Sequence, residues 1–355
     1  MKKVFFLILV VFSLLTKTAF AQENKTEYYQ AEVIKAELYR SPQIGQIQKL
    51  TVKITQGNLK NKTYNIQVPI VSGDIKNRFE IKEPIIVSYE KLPGGQENVL
   101  VVDRVRTSPL LILFFLFLVV VFLIGRLKGF TSFLGMLFTF LIIIQFIVPQ
   151  ILIGNDPVIV SLLAALFIIP VSFILSHGFN KKTFVAIGGT CISLILTGVL
   201  AYIFVKMTRL TGYAAEEAVY LQTLKGNAFN IKGLLLAGIL IGSMGILDDI
   251  TISQTSIVEE LHKTDKTLSF RKLYQKGMNV GRDHIASLVN TLVLVYAGAS
   301  LPLFLLFTNS NMNYSMAISN EVIATEIVRT LVSSIGIIAA VPITTLLASY
   351  FAKKV

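Results

Sequence analysis

Tryptophan is absent from this chain of 355 residues, cysteine occurs once, histidine three times, and charged residues reach only 15%. The scarcity of charge excludes the most. An ordinary globular chain carries about 25%, and with 53% of its residues apolar this one does not solvate itself in water; its solvent is lipid. A lone Cys191 excludes an intramolecular disulfide and any cysteine-based metal cluster. The Walker A loop, His-Glu-x-x-His, Gly-x-Ser-x-Gly and the dinucleotide-binding glycine fingerprint are missing too. Neither a catalytic residue, a metal site nor a cofactor is expected, and the residues do not support an enzyme. The net charge of +12 would suit nucleic acid, but the Lys and Arg residues fall mostly in short loops between apolar runs. No nucleic-acid partner is expected; the partner is the bilayer.

What is present falls into three regions. Residues 1–21 read as a signal peptide: Lys2 and Lys3, an apolar run from Val4 to Leu15, then Ala19-Phe20-Ala21 before Gln22. The alternative is an uncleaved anchor helix; either way the following segment lies outside. Residues 22–107 form an extracytoplasmic β domain. Its strands are expected at Val33–Leu38, Leu50–Ile54, Tyr64–Val68, Pro84–Tyr89 and Val99–Val105. Turn signals separate them: Gln56-Gly57-Asn58, Ser72-Gly73-Asp74 and Pro93-Gly94-Gly95. Five short strands suffice for a small OB-like barrel, with a two-sheet sandwich as the alternative.

Residues 108–355 contain apolar runs of about 20 residues, the length that crosses a bilayer. A bundle of about seven transmembrane helices is expected near Pro109–Gly125, Phe130–Pro149, Pro157–Leu175, Phe184–Val205, Leu234–Thr251, Ile285–Phe307 and Ile327–Phe351. The loops test that count. With the β domain outside, the loops expected inside hold Arg126 and Lys128, then Lys181 and Lys182, then Lys263, Lys266, Arg271, Lys272, Lys276 and Arg282. Those expected outside hold Asp156, and Glu321 with Glu326; only the loop from Lys206 to Lys232 is mixed. The excess of basic residues on one side fixes a multi-pass protein with its C-terminus in the cytoplasm. Ala214 to Leu224 reads as a short amphipathic helix outside, and Thr267 to Gly277 as a basic helix lying on the inner surface or a solvated connector.

Charge at bilayer depth is expensive, so intramembrane acids are candidate functional groups. The fifth span carries Asp248 and Asp249. Gly238, Gly242 and Gly245 precede them on one face, the small-residue spacing that lets a neighbouring helix approach. If that helix stops near Thr251 the acids sit at the inner interface; if it continues to Glu260 they lie past its middle. The sixth span opens with Asp283 and His284 and carries Ser287, Asn290 and Thr291 at helical spacing. Antiparallel packing of the two would bring an aspartate near His284 or Asn290 and assemble a proton or cation relay. His177 and Cys191 read as incidental.

These residues resemble the YibE/F family of bacterial multi-helix membrane proteins. The resemblance spans the mature chain and is most specific in Gly245-Ile-Leu-Asp248-Asp249 through Glu259. It is equally so in Gly281-Arg282-Asp283-His284-Ile-Ala-Ser287-Leu-Val-Asn290-Thr291 and in Tyr296-Ala-Gly298-Ala-Ser-Leu-Pro302. It implies a bacterial cytoplasmic membrane protein with an outside β domain. The two helices and their connection are also similar, in order and direction, to the central segment of resistance-nodulation-division and SecD/SecF-type proteins. That similarity implies proton-coupled transport or export, with Asp248 and Asp249 carrying the ion and His284, Asn290 and Thr291 lining its path. The competing expectation is a scaffold or sensor whose β domain binds an envelope protein while the polar residues only lock the bundle. A single copy without an internal repeat makes a homo-oligomer attractive.

Overall fold

The computed structural model describes residues 26–41, 45–70, 78–92, 94–225, 229–308 and 313–353. The expected signal peptide and the turn at Ser72-Gly73-Asp74 lie outside the described residues. The chain divides into two compact units between Leu123 and Ile124.

In the first unit, β1 (Glu27–Ser41), β2 (Gly45–Ile54), β3 (Thr63–Pro69), β4 (Pro84–Lys91) and β5 (Glu97–Arg104) each fall on one of the expected runs. They form one antiparallel sheet in the order β3-β2-β1-β4-β5. β1 is long because it serves two neighbours. Its first half pairs with β4 from Glu27 to Glu32, and its second with β2 from Ala31 to Ser41. A bulge between Val33 and Lys35 adds local twist where the partner changes. Alternation puts one face of each strand inward: Val33, Val52, Ile54, Ile85 and Val87 are fully buried, with Leu50 and Ile66 beside them. Gln48, a buried polar side chain of this core, copies a backbone pair: its Nε2 donates to the Phe79 carbonyl at 2.7 Å and its Oε1 accepts from the Phe79 amide at 3.0 Å. The sheet curls until β3 and β5 meet through side chains. The Tyr64 hydroxyl donates to Glu97 Oε2 at 2.9 Å and the Tyr89 hydroxyl to Oε1 at 3.0 Å. At the β2–β3 turn, Gly57 has φ +80°, and a Cβ there would stand 2.7 Å from the Tyr29 ring. The turn therefore needs glycine for its backbone and for the ring that lies on it.

The helices are α1 (Thr107–Ile142), continuing through a π turn (Ile143–Ile147) into α2 (Val148–Leu152), then α3 (Pro157–His177), α4 (Lys181–Met207) and α5 (Glu216–Lys225). They continue with α6 (Ile231–Thr264), α7 (Phe270–Ala299), α8 (Leu301–Thr308), α9 (Tyr314–Ser319) and α10 (Glu321–Lys353). Among the described residues five helices are long and apolar enough to cross a membrane, or six if α7 and α8, bent by 66°, count as one. The two spans expected between Pro109 and Pro149 form one helical run of 46 residues, Thr107–Leu152. Its break is at Arg126 (φ 50°, ψ −135°), a left-handed position for a residue with a Cβ.

Three boundaries differ from the sequence expectation for identifiable reasons. α6 runs to Thr264, well past Thr251, because Gln254, Thr255 and Val258 are buried and continue its packed face. The basic segment Thr267–Gly277 is not a separate surface helix: from Phe270 it is the opening of α7, and Leu273 and Gly277 are buried. Glu326, expected in a loop, lies inside α10, which starts at Glu321.

α4, α6 and α10 form the centre of the second unit, with α3 and α7 against them. Their contact surfaces are small rather than bulky. On α4, Gly189 faces Thr344 of α10, and eight residues later the roles reverse, with Thr197 facing Gly336. A Cβ on either glycine would collide with the opposing threonine hydroxyl. This reciprocal fit lets two backbones approach where lipid gives no hydrophobic drive to associate. Large side chains are found on both sides: Phe173, Leu247 and Ile337 are buried in the core, and Ile124, Ile195 and Leu331 are exposed.

Candidate functional site

The centre of the bundle is a seam of hydroxyls and one amide. Thr183, Thr190, Ser193 and Thr197 of α4 are fully buried, as are Ser243, Thr251 and Gln254 of α6 and Thr344, Thr345 and Ser349 of α10. Helices accept such residues because the hydroxyl can bond the carbonyl one turn back, as Thr190 does to Ala186, Thr197 to Ser193 and Thr345 to Val341. Others join helices. Thr190 and Thr251 hydroxyls lie 2.7 Å apart between α4 and α6, and those of Ser243 and Ser333 lie 2.8 Å apart between α6 and α10. Gln254 ties three elements: its Nε2 donates to the Gly277 carbonyl of α7 and to Thr345 Oγ1 of α10, each at 2.8 Å. Gly277 and Gly281 make that approach by α7 workable, since a Cβ at Gly281 would meet Val341 at 2.5 Å and Gln254 Nε2 at 3.1 Å.

The two aspartates stand beside this seam. Asp248 is seventeen residues from the start of the 34-residue α6, roughly 26 Å along a helix roughly 51 Å long, which is its midpoint. The longer of the two helix lengths weighed above is therefore the one the chain adopts. Asp248 Oδ1 is buried and, among the described residues, has no hydrogen-bond partner. Its neighbour Asp249, rotated about 100° around the helix, is exposed on the face that also carries Gly238, Gly242 and Gly245. Asp248 is within electrostatic reach of Cys191 on α4, and Asp249 of His177 at the end of α3. Lys182 and Lys128 add positive charge around that histidine.

The remaining expected site residues lie apart from the acids. On α7, Asp283, Ser287, Asn290 and Thr291 are exposed, His284 is half-buried with a buried Nδ1 that has no partner, and Thr291 bonds back to the Ser287 carbonyl at 3.0 Å. Among the described residues no hydrogen bond or ion pair joins any of them to Asp248 or Asp249. The expected meeting of the aspartates with His284 or Asn290 is replaced by neighbours on α3 and α4. The reason is rotational: α7 meets α6 through Gly277 and Gly281 against Gln254, a turn beyond the acids and on another side of α6. Gly238, Gly242 and Gly245, expected to seat a neighbouring helix, have no atom within 4 Å of a built Cβ. Within this chain the close approaches fall at Gly189, Gly336, Gly277 and Gly281 instead.

His177 and Cys191 were thus passed over although they adjoin the acids, and Gln254 with its threonines was not singled out. Two signals for the seam were present in the sequence: Thr183, Thr190 and Thr197 recur every seven residues, and Gly277-x-x-x-Gly281 is a close-packing motif. Nothing in the sequence marks which helix Asp248 faces.

Among the described residues no group of three or more His, Cys, Asp or Glu is arranged to hold a metal ion. Searches of the curated proteins and of the solved structures returned no match. The family model of the YibE/F-like proteins matches residues 113–354, which covers the helices and leaves the β strands outside the matched region. A multi-pass arrangement of apolar helices and a family match over most of its length make this chain a member of the YibE/F-like family.

Proposed function

We propose that the protein is a proton- or cation-coupled membrane transporter or export factor in which Asp248 takes up and releases the ion. One observation carries the reading: halfway along a helix of membrane-spanning length and apolarity a carboxylate oxygen is buried and, among the described residues, has no hydrogen-bond partner. An ionised carboxylate in that position is costly, so a site that keeps one unpartnered favours a group that exchanges its charge with a mobile ion. Asp249 beside it, exposed and within reach of His177, is the entry step between the aqueous side and the buried acid. The Thr190–Thr251 pair and Cys191 lie next to Asp248 and supply the polar lining. The α7 residues Asp283, His284, Ser287, Asn290 and Thr291 act apart from this pair, as a second polar face.

The reading includes seven membrane crossings. A run of 46 residues is roughly 69 Å long, more than twice a bilayer core about 30 Å thick. The break at Arg126 divides it in two, and α7 with α8 counts once. The basic loops then fall inside and the C-terminus in the cytoplasm. The strand order β3-β2-β1-β4-β5, with β3 turned toward β5, is the order of an OB-like barrel left open at one seam, and we assign the β domain to the outer side.

Purified protein in proteoliposomes carrying a pH-sensitive dye tests the coupling. Asp248→Asn is expected to abolish an imposed-gradient proton flux that the wild type shows, while the variant keeps its melting profile. Equal flux in both, or none in either, would overturn the carrier role and favour the scaffold reading, with the β domain as the part that binds.

A further inference from the structure

Two outward faces of the helical unit, on α6 and α7, carry charges that lipid does not satisfy. The two helices are joined by a short turn and run antiparallel, and the bond from Gln254 Nε2 to the Gly277 carbonyl pins them at one level. Away from the turn each rises by about 1.5 Å per residue, so equal counts from the pin stand at equal levels. Five residues away stand Asp249 on α6 and Arg282 on α7; nine away, Gly245 and Ala286; sixteen away, Gly238 and Val293. All six are exposed. Asp249 makes no hydrogen bond or ion pair among the described residues. Arg282 donates through Nη1 to Asn279 Oδ1 at 3.0 Å and makes no ion pair among them. A guanidinium has five N–H donors, so that bond leaves it able to hold a carboxylate. Asp283, the next residue, points about 100° away around α7.

Each face lacks what the other has. The α6 face offers a carboxylate and, over Gly238 and Gly245, open space; the α7 face offers a guanidinium and the side chains of Ala286 and Val293. A two-fold axis along the membrane normal carries every residue to the same depth in a second copy. From this match of level, room and charge we propose that the protein is a two-fold dimer in which α7 of each copy packs on the glycine face of α6 of the other. Arg282 then meets Asp249 of the second copy, Ala286 fills the space at Gly245 and Val293 that at Gly238. Symmetry makes each contact twice. An acid and an arginine left apart against lipid are costly, and pairing them across the contact removes both costs. The contact does not depend on Asp248, so it stands whether or not the chain conducts ions.

The test uses the full chain in liposomes. Two differently tagged copies, both Cys191→Ser, receive one cysteine each: Gly245→Cys in the first and Ala286→Cys in the second. Oxidation is expected to join them, whereas Ile195→Cys, on an exposed face of α4, is expected not to join Ala286→Cys. Energy transfer between labelled copies then reads the ion pair. Asp249→Arg or Arg282→Asp alone is expected to weaken association about 10-fold or more, and the two reversals in one chain to restore most of it. A wild type that stays monomeric at every lipid dilution would overturn the proposal. So would a dimer that joins Ala286→Cys to itself or to Ile195→Cys but not to Gly245→Cys, or one whose association neither reversal changes. The cysteine pair leaves both charges in place, so a reversal that fails to fold does not blunt the test.

Discussion

The two units differ in how much polarity they bury. In the β domain the fully buried positions are Val33, Val52, Ile54, Ile85 and Val87, and polar side chains face out. In the helical unit threonines, serines and Gln254 are fully buried alongside Phe173, Leu247 and Ile337, while many other Leu, Ile and Phe side chains cover the outside. Water explains the first arrangement, since removing apolar surface from it is the main favourable term in folding. It cannot explain the second, because a lipid-facing leucine gains nothing by turning inward. What remains is close packing and bonds between hydroxyls, so the helices meet through their smallest residues. The contrast extends to how a hydroxyl is tolerated. A helix places a carbonyl one turn back within reach of the hydroxyl, which uses its second lone pair, whereas an inward-facing strand side chain points away from the carbonyls of its own strand.

The contrast can be broken most forcefully at the crossing of α4 and α10. Gly336→Leu drives a side chain into Thr197 and is expected to cost about 3 kcal/mol or more. Gly242→Ala, with open space around it, is expected to be neutral or to stabilise by up to about 1 kcal/mol through helix propensity. Equal losses of thermal stability in the two variants would refute the claim that close approach is confined to particular glycines. A finer comparison makes one substitution in both units. Val52→Thr buries a hydroxyl in the strand core and is expected to cost about 1–3 kcal/mol. Val205→Thr in α4 can bond back to the Ala201 carbonyl and is expected to cost less than about 1 kcal/mol; separate denaturant transitions for the two units would measure both.

The smallest effect concerns pH in the β domain. Burial, then the bond to Glu97, pushes the Tyr64 hydroxyl up to about 12, and the bond to Glu27 does the same for Tyr29. The bonds from Tyr64 and Tyr89 hold Glu97 below the ordinary carboxylate range. A raised tyrosine stabilises the fold below its ordinary value near 10 and loses that contribution as pH rises toward about 12. The lowered Glu97 acts in the other direction: its contribution is present above the ordinary carboxylate value and fades as pH falls through the lowered one. Glu97→Gln is expected to shift the ultraviolet titration of Tyr64 back toward lower pH while barely changing the melting temperature. An unchanged titration would show that the bond between β3 and β5 does not form in solution.

The sequence was easier to read in one unit than in the other, for the same physical reason. Alternation in a strand is local, so five runs of β-branched and aromatic residues located five strands. The turn at Gly57 followed from its neighbours as well. Span-length apolar runs located the helices, but nearly uniform apolarity hides which face is inward. The pattern showed that Asp248 and Asp249 sit in an unusual place. It did not show that they look toward Cys191 and His177 rather than His284 and Asn290, because rotation about a helix axis is set by contacts between distant segments. The seam was invisible for the same reason: a threonine among leucines reads as ordinary until its partner, sixty-one residues away in the case of Thr190 and Thr251, is known.

Gln254 also has a bearing on synthesis. Its Nε2 donates to Gly277 and Thr345, the first on the next long helix and the second near the end of the last one. While α6 is already in the membrane and α10 is still unmade, that amide lacks its Thr345 partner, and Ser243, bonded only back to the Ile239 carbonyl, lacks Ser333. The half-built protein is thus marked by exposed polarity, the kind of signal an insertion factor or a membrane protease can read. Arrival of α10 erases the mark at several points along its length at once.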